Sequence, residues 1–506
     1  MNLKLLIRPV IVTIAGVIAG FGMILLFALT ALIFPYRCIV WVCAKIFRPD
    51  LCGFITGLTS VFMLDTPEKP SLNLLSYKII HGRVSLEQFR SLVTERVINK
   101  KSEDGQGIYS RLQQTYTNFM GYAFWQWDKD FKIENHVRIY DYGLKHPKMQ
   151  FGNVCVEEDL RRIMGDFLSA PWTKNQSPWE FLLIYNFKTE EDHGTEKMVF
   201  VSRFHHGIGD GHSSAQLLQD MGLDYKPSAV PSYPKKSVCF RIFFFFIFPF
   251  KLCYDLADNF TRSLDINTAW HPRNVELSKT YYTSFTKPIP VSLVKEIKQK
   301  YQVSYLAVLY AATSGGIQRV MEEAGQKIPE KMACFNPVPK PNHPPGMVNH
   351  MMWIFTTLPI KQRSVVIRLK EIQKDLMDLR SSLTPIASDL IVGMFGLMPK
   401  NCRHLIKHLI NSAVMASNFP VPPDAPVFQD CPVPDVIFGC GTSEVRCGAN
   451  VFMIGLGGMQ RIVVNIDKSV FPSEEIFKKL GTYIEEDFYN LLYGVSEDTE
   501  NANNVV

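Results

Sequence analysis

The longest apolar run in the chain lies at its start. From Pro9 to Tyr36 (PVIVTIAGVIAGFGMILLFALTALIFPY) no residue is charged across 28 positions. A helix needs ~20 apolar residues to cross a hydrocarbon core ~30 Å thick, whereas the apolar region of a signal peptide runs to only roughly 7–15. The run therefore predicts a membrane-anchoring helix. Lys4 and Arg8 precede it and Arg37, Lys45 and Arg48 follow it, so the flanking charges leave its orientation open. Beyond it the spacing turns to that of a folded domain. Ser85 and Gln88 form a capping-box pattern, and Leu86, Phe89, Leu92, Val93 and Val97 then share one helical face. Residues 179–187 (WEFLLIYNF) and 198–204 (MVFVSRF) are aromatic and β-branched, and with the polar KTEEDHGTE between them they predict a hairpin. A helix over 213–223 follows, with Ser213 or Ser214 as its cap.

The second half continues in the same style. Ser364 predicts the cap of a helix striped by Val365, Leu369, Ile372, Leu376 and Leu379. Strands are expected at Trp353–Leu358, Val451–Leu456 and Arg461–Ile466, and a closing helix carries Ile476, Leu480, Ile484, Phe488 and Leu491. A second apolar stretch, Ile242–Phe250 (IFFFFIFPF), is too short to span a membrane and reads as a core strand or an interfacial dip. The expected organisation is an anchor and connector over 1–57, a first half over 58–223, a linker over 224–288, a second half over 289–493 and a disordered tail over 494–506. Mixed strands and helices in two comparable halves predict an α+β architecture.

Charge and cysteine usage narrow the function classes. The formal net charge is +6, and no block of five or more like charges occurs, so nucleic acid is not an expected partner. The 11 cysteines include no C-x-x-C pair, which argues for reduced thiols facing a cytosolic compartment and against a structural zinc site. A bridge among Cys431, Cys440 and Cys447 is the alternative. Two sequons, at Asn175 and Asn259, would report a lumenal location if glycosylated.

The densest chemistry is FHHGIGDGHSS at 204–214, which follows the second hairpin strand directly. A histidine at a strand end is held by a rigid scaffold yet faces a cleft, where its unperturbed pKa leaves it mostly neutral and able to act as a general base. Adjacent histidines on an extended chain point to opposite sides, so one of His205 and His206 faces substrate and the other packs behind. Gly207, Gly209 and Gly211 would allow positive φ or a close backbone approach, and Asp210 would brace the loop. A metal site on His205, His206 and Asp210 would lack a remote fourth ligand, and a polar turn without chemistry is the other local alternative.

The spacing of His205, His206, Asp210 and Gly211 matches H-H-x-x-x-D-G and resembles the signature of CoA-dependent acyltransferases with the chloramphenicol-acetyltransferase fold. More closely, residues 58–493 resemble the wax ester synthase/diacylglycerol acyltransferase family. Four further segments carry the likeness: WDKDFKIENHV with Phe131 and His136, FLSAPWTKNQSPWEFLLI with Pro178, Trp179 and Glu180, GMVNHMMWIFTTLP with Asn349, and SNFPVPPDAPVF with Ser417, Asn418 and Pro420. The resemblance implies two chloramphenicol-acetyltransferase-like halves around a central tunnel, here preceded by a transmembrane helix. It implies His206 as the base, His205 as its support, Asp210 and Gly211 as structural members of the motif, and Ser417, Asn418 and Asn349 at the substrate. Acyl-CoA and a lipid alcohol would be the substrates, with no cofactor and no metal, and the membrane would be a partner. The implied product is a wax ester or triacylglycerol. Anchoring at the endoplasmic reticulum would leave the catalytic halves on its cytosolic face. The chain departs from many members by having Leu306 and Ala307 where an Asn-Asp pair is common, which shifts the expected oxyanion donor to Asn418 or Asn349. A different acceptor (sterol, short alcohol or amine) and a membrane-tethered lipid-binding protein without turnover are the competing functions.

Overall fold

A computed structural model of the chain describes residues 3–189, 194–224, 238–263, 270–272, 275–403, 411–441 and 446–494. The apolar N-terminal run forms one helix, α1 (Leu3–Phe47), and its residues Arg8–Phe47 are the one helix among the described residues long and apolar enough to cross a membrane. Most of its large apolar side chains are exposed.

Two sheets form the body. In chain order the strands are β1 (Asn73–His81), β2 (Val137–Ile139), β3 (Trp179–Ile184) and β4 (Lys197–His205), then β5 (Tyr281–Phe285), β6 (Lys331–Pro339), β7 (Met351–Pro359) and β8 (Asn411–Asn418), then β9 (Asp435–Cys440), β10 (Arg446–Leu456) and β11 (Met459–Asp467). The second sheet is seven-stranded, ordered β5-β11-β10-β8-β6-β7 with the short strand Ile289–Pro290 beside β11. The first is five-stranded, ordered β9-β1-β4-β3-β2. Its edge strand β9 comes from the second half of the chain and pairs antiparallel with β1, Asp435 opposite Ile79 and Cys440 opposite Leu74.

The hairpin expected from the two aromatic and β-branched runs is β3 paired antiparallel with β4. Every β4 position is buried because the strand is central and covered on both faces. Met198, Phe200 and Phe204 enter one core, while Val199 and Val201 enter the other. Helix α2 (Leu86–Val93) packs on the first core through Phe89 and Val93, and its capping box is formed by Ser85 and Gln88 as the sequence predicts. Helix α3 (Glu157–Ser169) packs into the second core. The remaining helices used below are α4 (Gly211–Asp220), α5 (Val238–Ser263), α6 (Tyr305–Glu323), α7 (Val365–Leu379), α8 (Thr384–Gly396) and α9 (Leu480–Tyr493). Helices α6, α7 and α9 bury their apolar stripes on the second sheet.

Several expectations change. Ile242–Phe250 is helical, lying within α5, and is not a strand. The span 224–288 holds that helix and strand β5, so more than a linker joins the halves. Helix α4 is capped by Asp210, whose Oδ1 accepts from Ser213 N at 2.9 Å, rather than by Ser213 or Ser214. The tail beyond Gly494 falls outside the described residues. All ten described cysteines are free, Cys431, Cys440 and Cys447 among them.

Helix α1 lies along α5. A Cβ on Gly16 would sit 3.3 Å from Tyr254 Cα, so the absent side chain is what lets the backbones approach. Arg8 closes the pair with Asp258 at 2.8 Å. Further along α5, the Asn259 amide is buried and clamps β7: its Nδ2 donates to Phe355 O at 2.7 Å and its Oδ1 accepts from Phe355 N at 2.8 Å. That sequon side chain is consumed by packing.

Candidate active site

The histidine pair ends β4. His205 is opposite Asn73 of β1, and the next backbone N–H, of His206, donates to Leu72 O at 2.8 Å, so the sheet itself fixes both rings. As the period of an extended chain requires, the rings face opposite ways. His205 is fully buried, and Gly207 N donates to its Nδ1 at 3.1 Å. With Nδ1 accepting, Nε2 carries the proton and donates to Asp65, 3.1 and 3.2 Å from its two oxygens. Burial alone would raise the Asp65 carboxyl, but His205 and the Ser71 donors overcome it and hold the group below the usual carboxylate range. His205 thus packs behind, as support.

His206 faces a cavity of about 280 Å³ at the seam of the two halves. Its ring lies deep, against Phe62 at 4.6 Å between centroids, with part of its edge open to the cavity. Asn349, just ahead of β7, sets its tautomer. The Asn349 Nδ2 donates to His206 O at 2.8 Å, to Thr59 Oγ1 at 3.1 Å and to Gly207 O at 3.3 Å. Its Oδ1 is therefore turned to His206 Nδ1, 3.1 Å away, which must donate. Nε2 is left with its lone pair. Burial is the largest influence on this ring and lowers its pKa below the ordinary 6.5, which favours the neutral form.

Asp210 bolts the loop to the second half. Its N donates to Val348 O at 3.1 Å, its Oδ2 accepts from His350 N at 2.8 Å, and both oxygens lie 3.1 Å from His343 Nε2. Burial works against the Asp210 charge, yet His343 and the N–H donors prevail and hold the carboxyl below its ordinary range. Half-burial likewise works against the His343 cation, and the Asp210 carboxylate overrides it to raise that pKa. Asp210 is the brace expected from its sequence.

The motif glycines act through proximity, not through positive φ, which none of them adopts. A Cβ on Gly207 would come 2.5 Å from Met63 Cγ, and one on Gly211 2.7 Å from the Phe419 ring. Gly211, Ser417, Asn418 and Phe419 line the cavity with His206. Asn349 does not: its amide is spent behind the ring, so it positions His206 instead of touching substrate, and it offers no oxyanion donor. Asn418, at the exposed end of β8, retains that possibility. Leu306 and Ala307 sit in the first turn of α6, in the core of the second half, and neither lines the cavity.

The other family-like segments serve the scaffold. His136 is buried and stacks between Phe131 and Trp179, its Nδ1 donating to Trp179 O at 2.8 Å. Glu180 is buried between Arg203 (2.7 Å) and Arg138 (2.8 Å), pinning β3 to β4 beside the histidines. Past the Phe419 ring, a smaller chamber of about 100 Å³ holds Lys78, whose ammonium meets, among the described residues, Ser76 Oγ at 2.6 Å, Ser202 Oγ at 3.1 Å and the Phe200 ring. Burial pushes its pKa down to about 7. Asp65, His343 and Lys78 carry no sequence signal: each lies in an ordinary loop or strand and becomes notable only through its partners.

This geometry defines a two-lobed fold with a histidine loop at the seam, and solved structures are similar to it in fold. A wax ester synthase/diacylglycerol acyltransferase from Marinobacter aquaeolei VT8 matches at TM-score 0.56 and 12% identity, covering 89% of this chain and 100% of that one. The trichothecene 15-O-acetyltransferase TRI3 from Fusarium sporotrichioides matches at TM-score 0.53 and 9% identity, over 87% of this chain and 94% of that one. The first condensation domain of the calcium-dependent antibiotic synthetase matches at 0.51 and 11%, over 90% and 95%. No curated protein matches by sequence. Residues 347–491 match the model of the WS/DGAT C-terminal domain, so that part of the second half is similar in sequence to the WS/DGAT family.

Proposed function

We propose that the protein is an acyl-CoA-dependent O-acyltransferase that esterifies a lipid alcohol, giving a wax ester from a fatty alcohol or triacylglycerol from diacylglycerol. The observation that carries this reading is the His206 ring, whose Nδ1 is committed to Asn349 while Nε2 is an acceptor at an apolar seam cavity. The alcohol oxygen attacks the thioester carbonyl carbon as its proton passes to Nε2, which contributes roughly 10²–10⁴ in rate. The tetrahedral adduct then collapses with cleavage of the C–S bond. The imidazolium returns the proton to the CoA thiolate, so ester and free CoA leave and the ring is neutral again. Asn418 is the side chain best placed along the cavity to donate to the adduct's oxyanion, an interaction worth ~3 kcal/mol where geometry is good.

Helix α1 supports the choice of a lipid acceptor. Anchored in the endoplasmic reticulum with the sheets on the cytosolic side, it holds the seam between bilayer-resident alcohols and cytosolic acyl-CoA. A binding protein without turnover is disfavoured by the intact His206–Asn349 and Asp210–His343 pairs, and Leu306 and Ala307 lie away from the cavity. The test is ester synthesis by membranes carrying the protein, supplied with labelled palmitoyl-CoA and either hexadecanol or diacylglycerol. Ester from wild type and none from His206→Ala is expected, and the better acceptor names the product. No ester from wild type with any alcohol would refute the assignment.

A further inference from the structure

Resting on that reading, we propose that the apolar cavity between α1, α5 and α8 is a binding site for the alkyl chain of the lipid alcohol, and that Trp353 is the partition between it and the catalytic cavity. The cavity measures about 670 Å³, within the ~300–1,000 Å³ of small-molecule sites. Its walls come from α1 (Ala19, Gly22, Leu26), from α5, from α8 and from β7, and no charged side chain lines it. An unfilled space of this character stays dry and takes apolar ligands. The phosphates of CoA find no partner there, which leaves an uncharged chain as the occupant.

Position makes that chain the acceptor's. One wall is the helix fit to cross a membrane, so the site is reached from lipid. The opposite wall is one side chain thick. On α8, Ile391 and Phe395 face this cavity while Val392 faces the catalytic one, and Trp353 lines both. Trp353 is held at its backbone by Ser388, whose Oγ lies 3.3 Å from both its N and its O, so passage between the cavities requires rotation of the indole, which packs beside the Phe335 ring at 5.9 Å between centroids. An alkyl chain lodged beside α1 would then place its hydroxyl end at that partition, facing the His206 side.

Gly22 gives a clean test. A Cβ there meets nothing within 4 Å, unlike those at Gly16 and Gly20, so a larger residue fills the cavity without disturbing the α1–α5 contact. Membranes carrying wild type, Gly22→Phe, Gly22→Ala and His206→Ala would be photolabelled with a hexadecanol analogue bearing a mid-chain diazirine. Label is expected on α1, α5 and α8 in wild type, Gly22→Ala and His206→Ala alike. Gly22→Phe is expected to weaken it about tenfold and to raise KM for hexadecanol similarly. Label elsewhere, or label indifferent to Gly22→Phe, overturns the site even if esters form. Label on these helices without ester from any alcohol keeps the site and removes the proposed activity.

Discussion

Asn349 grips His206 at two points, donating to its carbonyl oxygen over 2.8 Å and facing its ring Nδ1 over 3.1 Å. One side chain thus sets both the backbone and the tautomer of the proposed base. Asn349→Ala should lower kcat by about 10²-fold while leaving KM for acyl-CoA nearly unchanged, since the residue does not line the cavity. Steady-state kinetics check this, and a change confined to KM would contradict a positioning role.

The acid limb of the pH–rate profile should lie below the ordinary histidine value of 6.5, because burial disfavours the charged ring. The base works when neutral, so kcat/KM should rise with pH as one proton leaves, with its midpoint below 6.5. A midpoint above 6.5 would show that some other group is titrating.

His343 and Asp210 should stabilise the fold within a defined window. The raised His343 contributes fully below its unfolded 6.5 and loses that contribution as pH climbs through its folded value. The depressed Asp210 contributes above its unfolded 3.8 and loses it as pH falls through its folded value. The stability gap between wild type and His343→Ala should therefore be widest from about 4 to 6.5 and shrink on either side, as denaturant midpoints across pH would record.

Lys78 predicts the reverse kind of substitution, one that stabilises. Between about 7 and its unfolded 10.5, the unfolded chain holds a proton that the buried amine has released, so folding stability should rise with pH across that interval. Below it the burial cost is present in full. Lys78→Met should be more stable than wild type at pH 6, by as much as ~5 kcal/mol, and the difference should fade towards pH 10. Equal midpoints at pH 6 would show that the ammonium is better solvated than its surroundings imply.

Elements that repeat a local pattern were legible in the sequence. The α2 capping box, the aromatic and β-branched run of β4 and the long apolar run of α1 are encoded in neighbouring residues. Strand geometry predicts that His205 and His206 face opposite ways, and only the family resemblance points to His206 as the one at the cavity. What stayed hidden depends on distant partners: Asp65 meets His205 across 140 positions and His343 meets Asp210 across 133. Asn349 was found but given the wrong task, because a motif names a residue without showing which of its atoms are already engaged. The motif glycines teach the same point, their need being for space beside Met63 and Phe419. Ile242–Phe250 has a strand's composition, yet it lies within the helix α5, so the β-propensity of its residues does not decide its form.

Strand β9 carries one further consequence. It leaves the second half of the chain, lies down at the edge of the first sheet and pairs there along six residues before returning. The lobes are riveted to each other by backbone hydrogen bonds, so they cannot swing apart like a clamshell to admit a long substrate and close over it. Long chains must instead thread in end-on past side chains, which makes the size of a few rotating residues, and not the travel of a hinge, the natural lever for changing what the enzyme accepts.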